Sequence, residues 1–102
     1  PILIYSYAVF EYQKEQAVEL RVLEYYLALT HEGSVSAAAE ALHISQPTLS
    51  RQLIDLEREL GTTLFERGRH GIQLTEDGLL LRRRAQELVD LAHITEAEIK
   101  GN

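Results

Sequence analysis

The stretch from Ser34 to Leu60, SVSAAAEALHISQPTLSRQLIDLEREL, holds a helix of small residues, a short turn, and a second helix opened by Ser45-Gln46-Pro47. Ser34 and Ser45 each stand just before a helix-forming run, where a hydroxyl can accept from backbone N–H groups that have no partner inside the helix. Pro47 falls within the first turn of its helix, so its missing N–H costs no hydrogen bond there. Ala37, Ala38, Ala39 and Ala41 give the first helix little bulk, which lets the second cross it closely, with Ile44 as an apolar plug in the turn. This order describes a helix-turn-helix and points to sequence-specific binding of double-stranded DNA.

Helical periodicity orients the second helix. Leu49, Leu53, Leu56 and Leu60 form one stripe that must face the core. The opposite face then carries Pro47, Arg51, Ile54, Asp55 and Arg58, flanked by Thr48 and Ser50, with Gln46 at the tip. Gln46 suits an adenine edge, Arg51 a guanine edge or a phosphate, and Thr48 and Ser50 either base class, while Pro47 or Ile54 suits a thymine methyl. The competing reading is a solvated helix face with ordinary pairs such as Arg51 with Asp55.

Composition bounds the rest. A chain of 102 residues with 45% hydrophobic and 25% charged content is one domain with a modest core. Its formal net charge of −6 argues against adhesion to nucleic acid by bulk electrostatics. Distribution softens that objection. Arg51, Arg58, Arg67 and Arg69 lie in or just after the motif, whereas Glu11, Glu15, Glu19, Glu24, Glu87, Asp90, Glu96 and Glu98 lie in flanking segments. The absence of cysteine excludes disulfides, a thiolate nucleophile and a cysteine zinc site.

Outward from the motif, the run Glu19 to His31 reads as a core helix with Leu20, Leu23 and Leu27 on one side and Tyr26 beside them, ended by Gly33. Residues 1–17 are apolar and aromatic at the start but too short for a transmembrane helix, and they lack the basic region of a signal peptide. They are expected to be an appendage, derived from expression or from an upstream start, with Val18 as the natural beginning if a valine codon initiates. Beyond Gly61, strands at about Leu64 to Glu66 and Ile72 to Leu74 would form a small hairpin, or wing, over 67–71. Its tip carries Arg67, Arg69 and His70, suited to phosphates or the minor groove. The domain is thus expected over 18–74, with a linker and dimerisation helix over 75–102.

Thr75-Glu76-Asp77 reads as an N-cap followed by acids that suit the helix dipole, opening a helix to about Ile99. Within it Leu81, Ala85, Leu88, Ala92, Thr95 and Ile99 alternate like a heptad seam and predict a homodimer. Two-fold protein symmetry would read an operator with two-fold related half-sites. An enzyme is the competing class, but His31, His43, His70 and His93 are scattered without ligand spacing, and no glycine-rich phosphate loop is present. No catalytic residue, metal or cofactor is expected. The other alternative is a helical dimerisation or interaction module without specific DNA binding, which has no reason to keep a polar face from Gln46 to Arg58 opposite a leucine stripe.

The segment AAAEALHISQPTLSRQLIDLERELGTTLFER, followed by LTEDG, resembles the N-terminal DNA-binding domain of LysR-type transcriptional regulators, from about Glu19 through the long helix. The resemblance implies a mainly α fold: a winged helix-turn-helix with a small β-hairpin wing and a long C-terminal linker helix that pairs antiparallel in a dimer. It also implies a larger effector-binding domain, absent from this sequence, through which a small molecule would act, and a cytoplasmic protein. Carried onto matching positions, it assigns groove contacts to Gln46, Pro47, Thr48, Ser50 and Arg51 and wing contacts to Arg67 and Arg69. Ser34, Ser36 and Ser45 at the helix starts, with Arg58 and His70, complete the expected DNA-contacting set.

Overall fold

The computed structural model describes residues 18–101, so the expected appendage of residues 1–17 lies outside the described residues. Helix α1 spans Leu20–Glu32, α2 Val35–Leu42 and α3 Gln46–Leu60; strands β1, Phe65–Gly68, and β2, Gly71–Leu74, follow, and α4 runs over Glu76–Ile99. The chain is mainly α, with the hairpin and long last helix that a winged helix-turn-helix requires. No helix among the described residues is long and apolar enough to cross a membrane.

Local chemistry sets each boundary. Gly33 takes a left-handed φ of 86° and its N–H closes α1 on the Leu29 carbonyl, after which the Ser34 hydroxyl accepts from the Ala37 N–H and opens α2. His43 ends α2 in the same left-handed region, at φ 59°, the single non-glycine residue to do so among the described residues. Ser45 caps α3 by accepting from the Thr48 N–H, and Gly61 closes it.

The core lies where α1, α2 and α3 meet. Tyr26, Leu29, Ala38, Leu49, Leu53 and Leu56 are buried there, joined by Leu64 from the approach to the hairpin. Two expectations shift. The buried side of α1 is Val22, Leu23, Tyr26 and Leu29, leaving Leu20 at 45% exposure and Leu27 only partly covered. The α3 stripe ends at Leu56, and Leu60 is 40% exposed because the helix has by then run past α1 and α2.

The strands also differ from expectation. Antiparallel register pairs Phe65 with Leu74 and Gly68 with Gly71, so the tip shrinks to Arg69 and His70, and Arg67 belongs to β1 opposite Ile72. Gly71, at φ 110°, lies so close to the α1–α2 turn that a Cβ would sit 2.5 Å from the Gly33 carbonyl oxygen, which already accepts from the Ile72 N–H at 2.9 Å. The hairpin is thereby fastened to the turn that starts the helix-turn-helix. A second fastening comes from Glu57, whose carboxylate accepts from the Leu64 N–H at 2.7 Å.

Candidate nucleic-acid interface

The face of α3 turned away from the leucines is solvent-exposed at Gln46, Pro47, Thr48, Arg51 and Arg58 and half-buried at Ser50 and Asp55, with Ile54 52% exposed among them. At its N-terminal end Ser45 donates its hydroxyl proton to Thr48 Oγ1 at 2.7 Å while accepting from the Thr48 N–H at 3.2 Å. The cap therefore occupies Ser45 in both directions but leaves the Thr48 hydroxyl its own proton to donate. Ser34 is half-buried, with its oxygen taken by the Ala37 N–H, and Ser36 stands exposed on the first turn of α2.

Besides the Glu57 carboxylate, a bond between side chains joins wing and helix: Arg67 Nη2 donates to Ser50 Oγ at 3.1 Å. Its cause is the register of the hairpin, which moves Arg67 from the expected tip into β1 beside α3. Ser34, Ser36, Gln46, Arg67 and Gly71 border one shallow cleft between the two helix starts and the hairpin. Arg69 and His70 remain at the tip, fully exposed.

The arginines of α3 separate into two kinds. Asp55 pairs with Arg58 through Nη1 and Oδ1 at 3.1 Å, while Arg51, the alternative partner four residues before Asp55, makes no ion pair among the described residues. The Arg51–Asp55 pair of the competing reading is not formed, and Asp55 pairs with Arg58 instead.

Behind this surface, the start of α4 is locked to the core. Thr75 caps α4 by accepting from the Gly78 N–H at 3.0 Å and donates its own proton to the Thr63 carbonyl at 2.6 Å. Gly78 is buried, and a Cβ there would collide with the Leu64 carbonyl oxygen. Tyr26 donates from below to the Gly78 carbonyl at 2.9 Å. Burial raises its phenol pKa to about 12, partly countered by the Arg82 charge and slightly reinforced by Glu57.

Farther along α4 the expected seam divides. Ala85 is 0% exposed, packed with Leu23 and Val89 inside its own domain, and Leu81 packs against the same cluster. Those two positions pack toward α1, while Ala92 is half-buried; sequence spacing alone does not say which neighbour a helical stripe faces. Leu88 at 47%, Thr95 and Ile99 at 82% remain exposed, and so do Leu80 at 45%, Leu91 at 59% and Ile94 at 53%. Arg84, Leu88, Leu91, Thr95 and Glu98 form one exposed stripe, which shares Leu88 and Thr95 with the expected seam.

Three interactions escaped the sequence reading. Glu57 looks like one more surface acid until its carboxylate is found bonded to the Leu64 N–H. The Asp55–Arg58 tether and the Arg67–Ser50 bond involve residues already expected on the surface, but no spacing rule chooses among their possible partners.

The model for "Bacterial regulatory helix-turn-helix protein, lysR family" matches residues 20–79, from α1 to the first turn of α4. The chain is 44% identical over 79 residues to the HTH-type transcriptional regulator ClcR of Pseudomonas putida, spanning 78% of this chain and 26% of ClcR. It is 40% identical over 84 residues to the HTH-type transcriptional regulator BudR of Klebsiella aerogenes, spanning 82% of this chain and 59% of BudR. Among solved structures, the CbnR_DBD-DNA complex superposes with a TM-score of 0.78 at 37% identity, covering 81% of this chain and 95% of that one. The BenM_DBD/benA site 1 DNA complex gives 0.78 at 38%, covering 81% and 96%. The chain thus spans about a quarter of the length of ClcR and nearly all of the two DNA-complexed chains. With its first three helices, the turn between α2 and α3 and the hairpin all inside the matched region, the chain belongs to the lysR family of bacterial regulatory helix-turn-helix proteins.

Proposed function

We propose that this domain binds double-stranded DNA sequence-specifically as the reading head of a bacterial LysR-type transcriptional regulator. In this reading α3 enters the major groove, and Gln46, Thr48 and Arg51 contact base edges, with Pro47 and Ile54 against thymine methyls. The observation that carries it is the Arg67–Ser50 bond, which sets the wing beside the exposed face of α3, so that one approach engages both. Arg69 and His70 then meet the backbone or the minor groove next to the major-groove helix. Ser36 and the backbone at the starts of α2 and α3 meet phosphates, while Ser34 and Ser45 serve mainly by capping.

The domain acts as a homodimer on an operator with two-fold related half-sites. Its partner surface is the uncovered stripe of α4 through Leu88 and Leu91, since the Ala85 side is already filled by α1. A small-molecule effector acts through a C-terminal domain outside this sequence, and the protein works in the cytoplasm.

Selection of bound duplexes from a random DNA pool tests the proposal. Enrichment of paired half-sites, with affinity falling steeply as salt rises, is expected. An unenriched pool at low salt overturns it in favour of a helical interaction module.

A further inference from the structure

The α3 face opposite the leucines carries Asp55 near its centre, with exposed Glu59 at its edge, and an acid at that centre is unusual for a surface meant to approach a polyanion. Asp55 stands on α3 between Ile54 and the end of the helix, with its side chain 44% exposed and facing the same solvent as Arg58, which is 72% exposed. A carboxylate there repels phosphate and offsets a cation that would otherwise attract it. No buried group requires Asp55: its one side-chain partner among the described residues is Arg58 Nη1, at 3.1 Å. Contact is through one nitrogen and one oxygen, so the remaining guanidinium donors stay unpaired among the described residues. An exposed single-pronged pair of this kind competes with a phosphate for the same guanidinium.

We propose that Asp55 is a specificity-determining residue that tethers Arg58 and suppresses sequence-independent binding. This rests on the DNA-binding reading of α3. In a mobile complex with unmatched DNA, the protein is held by charge alone, and every phosphate contact counts toward residence. Tethering Arg58 removes one such contact, and the Asp55 charge discourages others. On a matched site the helix is instead fixed by Gln46, Thr48 and Arg51. Arg58 follows Arg51 by seven residues, roughly 10 Å along the axis at 1.5 Å per residue, so its freedom matters less once those contacts set the register. Asp55 therefore raises the ratio of matched to unmatched affinity while lowering both.

The test uses the whole 102-residue chain. Binding of wild type, D55N, R58A and D55N/R58A is measured against a mixed-sequence duplex, and against a duplex enriched from the random pool, over a range of salt. For D55N on mixed-sequence DNA the slope of log affinity against log salt should steepen by about 0.9, the increment for one added phosphate contact, with about fivefold tighter binding near physiological salt. The gain on the enriched duplex should be smaller, so the ratio falls. In the R58A background, D55N should leave the slope unchanged. An equal change with and without Arg58 overturns the tether, as does a D55N protein with an unaltered slope. A weaker D55N on the enriched duplex alone would instead make Asp55 a direct base contact. If wild type binds neither duplex, the DNA-binding reading itself fails, a result distinct from the others.

Discussion

Single side chains on this surface differ in how firmly their neighbours hold them, and that difference sorts their effects. Arg51 has no ion-pair partner among the described residues, so its guanidinium is available to a guanine edge. Arg51→Ala should cost roughly 1–3 kcal/mol on a selected duplex, checked by titration against matched and scrambled DNA. Equal loss on both would reassign Arg51 to phosphate. Tyr26 makes the opposite case, a fully buried phenol bonded to the Gly78 carbonyl, with its pKa held near 12 by burial. An unfolded tyrosine ionises at about 10, so the folded state keeps its proton where the unfolded state has lost it. Stability from this difference is complete below about pH 10 and disappears as pH rises toward 12, a total of about 2–3 kcal/mol. Denaturation profiles from pH 8 to 12 should show that fall in wild type. Tyr26→Phe should lack it, at a cost of about 1 kcal/mol near neutrality from the lost hydrogen bond.

At the scale of elements, the caps and turns were legible because their chemistry is local. Ser34, Ser45 and Thr75 each accept from the third N–H of the following turn, and Gly33 and Gly61 take the left-handed conformation expected of them. The buried face of α3 was legible through Leu56, and the exposed face followed from it. Elsewhere the outcome depended on which neighbour arrived. α1 shows a rotated face because Tyr26 reaches α4, and the hairpin gained residues because Gly68 pairs with Gly71. Arg67 left the tip for the same reason, so its bond to Ser50 had no signal in spacing. Gly78 shows how tight one junction is. Gly78→Ala would drive a methyl into the Leu64 carbonyl, and a loss of about 2–3 kcal/mol in urea denaturation is expected, a typical overpacking cost. Gly101 has open space around it but a left-handed φ of 83°, so Gly101→Ala should show only that backbone strain, about 1 kcal/mol, without the collision.

For the whole molecule, the distinction between the core side of α4 and the exposed stripe proposed to meet a partner decides how assembly should respond to mutation. Leu88→Asp with Leu91→Asp should leave the helical circular dichroism intact and give a monomer by sedimentation, since both side chains are about half exposed or more. Operator binding should weaken strongly. Ala85→Asp should instead unfold the domain, because that position has no exposure at all. An intact dimer in the double leucine variant would place the partner surface elsewhere. The net charge of −6 is reconciled with polyanion binding by separation between elements. Glu87, Asp90, Glu96 and Glu98 lie on α4, whereas Arg51 and Arg58 lie on α3 and Arg67 and Arg69 in the hairpin.

The junction of Thr75, Gly78 and Tyr26 turns α4 into a lever with a fixed base. Its 24 residues give an arm of roughly 36 Å at 1.5 Å per residue. A change of about 10° at the base would sweep the far end by roughly 6 Å, close to two base-pair steps of about 3.4 Å each. In the proposed dimer, crowding one small glycine against Leu64 would thus reset the spacing between the two reading heads without touching a residue proposed to meet DNA.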